Sequence, residues 1–329
     1  MNILYHRISG AIGLTAQESG TRGAWVEKRL ATLRWLISRG HDVTILSRLT
    51  KATRAAPPAE FRYSTSAGAD AQSADLLVLE FGPSNGSWYA EDYAFTRAVL
   101  EEYVGPVIYL CDDPDLLKPS VCRYVPQSDW SRWTFLLNCQ YPMRAPEVLG
   151  APAEAQYAEF NPCVGLDLMD YAPAPYPNYL VYPGRPGGRK TQCQAMIDSG
   201  AVQIVSSPAD WKAYKIDVTP SPKQSVRRDC YRQYAGLVCA FDTVHADLGW
   251  RTGRAYHALT AGVPVLVFPG NAALWWAKEV QTKDELAAEW ALLSDGDDYR
   301  HHMALSQRNL VSNDETDFLS LPTASALGL

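Results

Sequence analysis

A short turn rich in glycine, proline and cations carries the residue types best suited to binding phosphate. It covers residues 183–190 and reads PGRPGGRK. Its Gly184 lets the backbone approach a ligand closely, and Arg185 and Arg189 supply planar, permanently charged groups four positions apart. Together with Lys190 they favour an anion site, and a pyrophosphate is the expected guest. The alternative is an ordinary strand–turn–helix junction with solvated cations.

The elements on either side of this turn strengthen the phosphate interpretation. An apolar run at residues 179–182 predicts a strand, and residues 191–199 predict a helix. The turn then lies at the carboxyl end of a strand and at the start of a helix. The first N–H groups of a helix and the positive end of its dipole attract anions.

A second constellation consists of acidic residues after another strand. Residues 106–110 form an apolar run that leads into Cys111, Asp112, Asp113, Pro114 and Asp115. A carboxylate at the end of a parallel strand suits a general base, and its acidic neighbours would raise its pKa. Capping of a turn or helix is the alternative, because Asp before Pro commonly opens a turn. The Asp-x-Asp spacing also suits a loosely held Mg²⁺.

Alternating strand-like and helix-like segments indicate an α/β protein with parallel sheets. The predicted strands are at 3–5, 43–46, 76–80, 106–110, 179–182, 202–205, 236–240 and 263–267. The predicted helices are at 23–39, 90–103, 191–199, 225–234, 251–260, 284–293 and 298–310. We expect the tail after Asn313 to be loosely held.

A proline-dense stretch at residues 161–177 predicts a linker between two domains. We expect one Rossmann-like domain at residues 1–165 and a second at residues 166–329. Two doubly wound domains facing a central cleft would bind ligands at the carboxyl ends of their strands.

Composition limits the classes of function. The chain has 329 residues, 47% of them hydrophobic, and a net charge of −6, so any grip on nucleic acid must rest on a local patch. Seven scattered cysteines without a Cys-x-x-Cys pair indicate reduced thiols. Neither a signal peptide nor an apolar run of membrane-spanning length is present, so we expect a cytoplasmic protein that does not contact a membrane.

These motifs, in this order, resemble the GT-B glycosyltransferases, and more closely the DNA β-glucosyltransferases of T-even phages. The resemblance rests on residues 38–43, on the strand that ends at Asp113, on Arg185-x₃-Arg189, and on residues 251–261. It implies that the domain at 1–165 binds the acceptor and contains the catalytic base, Asp113. It also implies that the domain at 166–329 binds the nucleotide-sugar, that both arginines bind the donor diphosphate, and that the last helix packs back on the first domain. Arg254 matches an arginine of the family, whereas His257 replaces the family's glutamate-type ribose ligand.

The function implied by the resemblance is transfer of a sugar with inversion, most simply glucose from UDP-glucose. The acceptor would be a hydroxymethylated pyrimidine in double-stranded DNA, in the host cytoplasm if a phage encodes the chain. GT-B enzymes generally need no protein-bound metal. A GT-B enzyme with a small-molecule or glycan acceptor is one alternative, favoured by the acidic charge, and a non-catalytic nucleotide-sugar-binding protein is another.

The remaining candidates each have a structural alternative. Asp242, at the end of a predicted strand, is a donor-site candidate or a helix cap. Arg254 lies on a ligand-facing or a solvated helix face, and His257 binds a ribose hydroxyl or is a core histidine. The acceptor candidates are Trp88, Arg123, Arg132 and Trp133. Aromatic side chains stack on extruded bases and arginines hold phosphates, although tryptophan more often anchors a core.

Overall fold

The chain folds into two compact units, each built on one parallel sheet. The first unit comprises Met1–Ser19, Lys28–Pro162 and Asp317–Leu329, and the second comprises Gly20–Glu27 and Cys163–Thr316. The computed structural model describes residues 1–7, 23–46, 61–80, 90–111, 114–117, 129–161, 170–174, 176–220, 231–314 and 321–329.

The first unit contains a seven-stranded sheet in the order β3-β2-β1-β4-β5-β6-β7, with every neighbouring pair parallel. Its strands are β1 (Asn2–Arg7), β2 (Asp42–Leu46), β3 (Arg62–Ser64), β4 (Leu76–Glu80), β5 (Val107–Cys111), β6 (Trp133–Leu137) and β7 (Gln156–Glu159). Its helices are α2 (Ala67–Ser73), α3 (Ala90–Glu102) and α4 (Ala145–Leu149), and α1 (Gly23–Ser38) begins in the second unit and continues into the first.

The second unit contains a six-stranded sheet in the order β10-β9-β8-β11-β12-β13, again with parallel neighbours. Its strands are β8 (Tyr176–Tyr182), β9 (Val202–Ser206), β10 (Thr219–Pro220), β11 (Tyr234–Cys239), β12 (Val265–Val267) and β13 (Lys278–Glu279). Its helices are α5 (Lys190–Ser199), α6 (Pro208–Trp211), α7 (Thr243–Asp247), α8 (Gly253–Thr260), α9 (Lys283–Asp295) and α10 (Asp297–Asp314).

The central strands are buried along their whole length, which explains why they appear in the sequence as continuous apolar runs. Every residue of β4, β5 and β6 is buried. In the second unit, two groups of buried side chains form the core, one around Leu237 and Val265 and the other around Leu180 and Trp211. Such burial is typical of parallel sheets covered by helices on both faces.

Each sheet has a point where the strand order reverses. In the first unit this point lies between β1 and β4, and in the second unit it lies between β8 and β11. Helices that leave neighbouring strands there pass to opposite faces, which opens a crevice at the carboxyl ends of the strands. The turn after β8, which is the phosphate-binding candidate, therefore lies at the reversal point of the second sheet.

The predicted α/β architecture is confirmed, and most predicted elements are present within two residues of their expected ends. Three local predictions were wrong. Tyr234 is the first residue of β11 rather than the end of a helix. No strand was predicted at Trp133, but this residue begins β6. The tail was expected to be loose, yet Leu321–Leu327 forms a helix, α11, with buried Ala324, and this helix belongs to the first unit.

Two further observations concern membrane-spanning helices and the cysteines. In the described part of the chain, no helix is both long and apolar enough to cross a membrane. The described cysteines Cys111, Cys139, Cys193 and Cys239 are all buried. Burial raises the pKa of Cys193 to about 11 and that of Cys239 to about 12, so both thiols stay protonated and unreactive at neutral pH.

Candidate functional site

A cavity of about 530 Å³ lies at the reversal point of the second sheet. The segments that follow β8, β11, β12 and β13 all contribute to its wall, and the first turn of α5 completes it. The lining residues are Gly187, Gly188, Lys190, Thr191, Gln192, Ala195, Phe241, Asp242, Thr243, Phe268, Pro269 and Gln281. The wall thus combines a cation, amides, hydroxyls and two phenylalanines, a mixture that suits a ligand with both charged and ring-shaped parts.

The backbone of the turn after β8 is held close to the sheet by Gly184. A Cβ atom at Gly184 would lie 2.7 Å from Cζ of the Tyr182 ring, so only glycine fits. The indole Nε1 of buried Trp211 donates to the Gly184 carbonyl at 3.0 Å, and the Tyr182 hydroxyl donates to the Arg185 carbonyl at 3.0 Å. These contacts fix the turn before any ligand arrives.

Arg189 is the most strongly held cation of this turn. Its guanidinium donates to the Arg185 carbonyl at 3.1 Å and to the Tyr182 hydroxyl at 3.3 Å, and it pairs with an Asp242 carboxylate oxygen at 3.3 Å. Its side chain is only 16% exposed. Arg189 is also the N-cap residue of α5, and a guanidinium has no acceptor with which to cap the helix. The first turn of α5 therefore combines a positive dipole end with a fixed guanidinium.

Asp242 follows β11 and lines the cavity. One carboxylate oxygen accepts from the backbone N–H of His245 at 3.0 Å and lies 2.6 Å from its ring Nδ1; the other pairs with Arg189. Burial alone would raise the pKa of Asp242, but the hydrogen bonds from His245 and the charges of His245 and Arg189 outweigh it and lower the pKa to about 2. The carboxylate is therefore ionised at neutral pH.

Arg254 is exposed and lies in the first turn of α8. Its charge affects the pKa of two residues near the carboxyl edge of the second sheet. Burial raises the pKa of Tyr182, and the charges of Arg189 and Arg254 both oppose that increase. Both charges likewise oppose the raised pKa of Cys239, the last residue of β11. The charges of two guanidinium groups, one at the start of α5 and one on α8, therefore act near the carboxyl ends of β8 and β11.

Arg185 is placed differently from Arg189. Its Nε lies 3.2 Å from a carboxylate oxygen of Asp210, and its side chain is 78% exposed. Gly184 and Arg189 are fixed within the turn, whereas Arg185 extends from it into solvent. Both arginines were expected to bind the diphosphate equally, but of the two it is Arg189 that several partners hold in place.

His257 lies in the interior of α8 and is 1% exposed. Its neighbours on the helix, Ala255, Tyr256, Ala258 and Leu259, belong to one of the two buried clusters of the second unit. This placement favours the core-histidine alternative over a contact with the ribose. The mismatch between His257 and the family's glutamate-type residue thus coincides with a packing role.

Arg132 and Trp133 do not occupy a ligand-binding edge, so the structure corrects this part of the acceptor prediction. Trp133 starts β6, pairs in register with Val107 at the start of β5, and is 2% exposed. Its ring packs against Trp130, Tyr109 and Phe135. Ligands bind parallel sheets at the opposite, carboxyl edge.

Arg132 serves the same packed region. Its guanidinium donates to the backbone carbonyls of Tyr103 at 2.7 Å and Gly105 at 3.3 Å, where α3 leads into β5. The pattern of cations between aromatics that suggested base stacking instead reflects the anchoring of a strand.

Three predicted residues, Asp113, Trp88 and Arg123, lie outside the described residues. The strand that leads to Asp113 is described, and its register places Cys111 beside Leu137, at the carboxyl ends of β5 and β6. The described part of the chain contains no group of three or more His, Cys, Asp or Glu side chains that could hold a metal ion.

Sequence reasoning missed His245 and Tyr182. Tyr182 was visible only as a strand residue, because its role depends on the close approach of Gly184. The Asp-x-x-His spacing of Asp242 and His245 is the signal that was available, since residues three apart face each other at a helix start. The pairing of Asp242 with Arg189 joins residues 53 positions apart and has no signature in the sequence.

Comparisons with known proteins support the fold. The chain matches no protein-family model and none of the curated proteins. Among solved structures, it is similar to a glycosyltransferase from Rickettsia africae, with a TM-score of 0.50 and 12% identity over 99% of this chain and 97% of that one. A UDP-forming α,α-trehalose-phosphate synthase from Burkholderia xenovorans gives a TM-score of 0.45 and 12% identity over 96% of each chain. The chain therefore has the GT-B glycosyltransferase fold.

Proposed function

We propose that this chain is a glycosyltransferase that uses a nucleotide-sugar, most simply UDP-glucose, and transfers the sugar with inversion to a hydroxymethylated pyrimidine in duplex DNA. The observation that carries the donor half is the cavity at the reversal point of the second sheet. It is bounded by the first turn of α5, and the charges of Arg189 and Arg254 act near the same edge. A GT-B fold makes a nucleotide-sugar the ligand class that best fits such a site.

Sugar transfer needs a base for the acceptor hydroxyl and cations for the leaving diphosphate. The acceptor hydroxyl attacks the anomeric carbon while the bond from that carbon to the phosphate oxygen breaks. The hydroxyl proton passes to a base, and the nucleoside diphosphate leaves with the bonding electron pair. We assign the base to Asp113. Arg189 and Arg254, with Arg185 and Gly184 at the turn, stabilise the negative charge on the leaving diphosphate.

The acceptor half rests on the sequence resemblance, with Trp88 and Arg123 remaining as acceptor candidates. A pyrimidine inside a duplex would have to be extruded to reach a buried site. An acceptor that is a small molecule or a glycan is favoured by the net charge of −6. Strongly salt-dependent binding to DNA would argue against that acceptor, since it reports phosphate contacts.

The direct test is to incubate the protein with UDP-glucose and DNA that contains hydroxymethylcytosine or hydroxymethyluracil. We expect the DNA to gain the mass of one hexose per modified base, measured by mass spectrometry of the nucleosides. Unmodified DNA of the same sequence is the control. The proposal is abandoned if no nucleotide-sugar in a panel of UDP-, TDP- and GDP-sugars yields a product with either DNA.

Asp113→Asn separates a transferase from a nucleotide-sugar-binding protein. We expect this variant to lose turnover while its affinity for UDP-glucose stays close to that of the wild type, because the base acts only on the acceptor. Wild-type protein that binds the donor but never turns over, with any acceptor, would support a binding protein instead.

A further inference from the structure

One carboxylate, Asp242, holds two different groups at the edge of the cavity. One oxygen lies 2.6 Å from Nδ1 of His245, and the other lies 3.3 Å from a guanidinium nitrogen of Arg189. Asp242 itself lines the cavity. Arg189, Asp242 and His245 therefore form a connected chain of charged and polar groups.

The position of the proton on His245 follows from chemistry. An ionised carboxylate only accepts hydrogen bonds, so a ring nitrogen 2.6 Å away must carry a hydrogen. With Nδ1 protonated, Nε2 is the atom that can still gain a proton. In the neutral ring Nε2 is an acceptor, and in the imidazolium it is a donor with positive charge.

The ring is also held from a second side. Trp250 meets it edge-on, with ring centroids 6.1 Å apart and an interplanar angle of 80°. The His245 side chain is 20% exposed, so part of it is accessible beside Asp242, which lines the cavity. A ring fixed by a carboxylate and a tryptophan presents its free nitrogen in one direction.

We propose that His245, held by Asp242, is a second anion-binding group of the donor site and that its imidazolium form binds the donor diphosphate alongside Arg189. This inference rests on the proposed function, and it adds an imidazole to a clamp otherwise made of guanidinium groups. Asp242 is the positioning residue that fixes both members.

A purely structural role for Asp242 explains less. As the N-cap of α7, its carboxylate accepts from the His245 backbone N–H at 3.0 Å, and Asn, Ser or Thr would do this as well. The pairing with Arg189 and the short contact with the ring are served best by a negative charge. The cap therefore does not account for the two further contacts.

The charged groups near His245 come from two elements. Asp242 and Asp247 belong to its own helix and cap, and Arg189 comes from the start of α5 and pairs with Asp242. A bound diphosphate adds negative charge, so ligand binding and protonation of His245 should reinforce each other.

The test is titration of wild-type protein and His245→Asn with UDP by calorimetry at about pH 6 and about pH 8.5, on either side of the range in which imidazoles ordinarily titrate. We expect the variant to bind about tenfold more weakly than wild type at the lower pH, the effect of one charge-assisted hydrogen bond, and about equally at the higher pH. Comparing variants at one pH cancels the titration of UDP itself.

Two further variants sharpen the result. His302→Asn removes an exposed histidine of α10 and should leave the pH dependence of binding unchanged. His245→Lys supplies a cation at both pH values and should bind UDP more tightly than wild type at about pH 8.5. A melting curve checks each fold. If the asparagine variant is unfolded, the lysine variant decides, and a pH dependence equal to that of wild type would overturn the inference.

Failure of the inference can be told apart from failure of the proposed function. If wild type binds no UDP or UDP-sugar at either pH, both are overturned. If wild type binds UDP through Arg189 but the ratio of the His245→Asn and wild-type dissociation constants is the same at both pH values, only the imidazolium role is overturned.

Discussion

Arg189 and Arg132 are both arginines in segments rich in glycine or aromatic residues, yet they lie at opposite kinds of sheet edge. Arg189 stands at the carboxyl edge of the second sheet, where it contacts a carboxylate and a phenol beside a cavity. Arg132 stands at the amino edge of the first sheet, where it binds two backbone carbonyls. The edge at which an arginine lies, more than its residue type, therefore decides whether we assign it to the proposed donor site or to packing.

The largest effect on stability should come from the amino edge of the first sheet. Trp133→Ala removes a buried ring that packs against three other aromatic rings, and we expect it to destabilise the protein by about 3–5 kcal/mol. Urea unfolding measures this loss. Below the unfolding transition, affinity for UDP should match wild type; a selective loss of UDP binding in folded protein would break the comparison.

At the carboxyl edge of the second sheet, the largest effect should be on ligand affinity. Arg189→Ala removes a partly buried guanidinium, and we expect UDP to bind about 100-fold more weakly, the size typical of losing a desolvated charge contact. Calorimetric titration gives the affinity. The matched control is Arg132→Ala, which should lower stability but not affinity. Equal affinity in the Arg189 and Arg132 variants would contradict the assignment of the two edges.

Acid unfolding should reveal the ionised Asp242. Its pKa is about 2 in the folded protein, below its ordinary value of 3.8, so the charged form stabilises the fold. This stability is complete above about pH 4 and is lost as the pH falls through about 2. We expect Asp242→Asn to be less stable than wild type by roughly 2 kcal/mol at neutral pH, with the gap closing in that window. A constant gap from neutral pH to pH 2 would show that the charge is not responsible.

The smallest effect should come from Arg185. Its ion pair with Asp210 is exposed, and exposed pairs contribute about 0–1 kcal/mol. We expect Arg185→Ala to leave the unfolding free energy nearly unchanged and to weaken UDP binding by less than about fivefold. A loss as large as that of Arg189→Ala would mean that Arg185 moves onto the ligand when UDP binds.

The sequence predicted the fold better than it predicted the site. Strands such as Leu76–Glu80 were recognisable because burial on both faces leaves a continuous apolar run. The search for continuous apolar runs failed at Trp133, because polar residues on either side of it concealed the start of β6. The Leu321–Leu327 helix was missed because it is short and belongs to the first unit, whose other residues are distant in the sequence.

Within the site, the turn after β8 was predictable because its glycines and cations are adjacent in the chain. The contacts that Asp242 makes were not predictable. They join Arg189, which follows β8, to His245, which follows β11. The difference between Arg185 and Arg189 was equally hidden. Both have the same charge, and they differ in burial and in partners, because Arg189 contacts the Tyr182 hydroxyl and the Asp242 carboxylate.

The central claim is that the carboxyl edge of the second sheet binds the diphosphate of a nucleotide-sugar. The most direct measurement is a crystal structure of the protein with UDP. We expect the diphosphate to lie within hydrogen-bonding distance of the Arg189 guanidinium and the first turn of α5. A UDP molecule bound elsewhere, with no contact to Arg189 or to this turn, would contradict the claim.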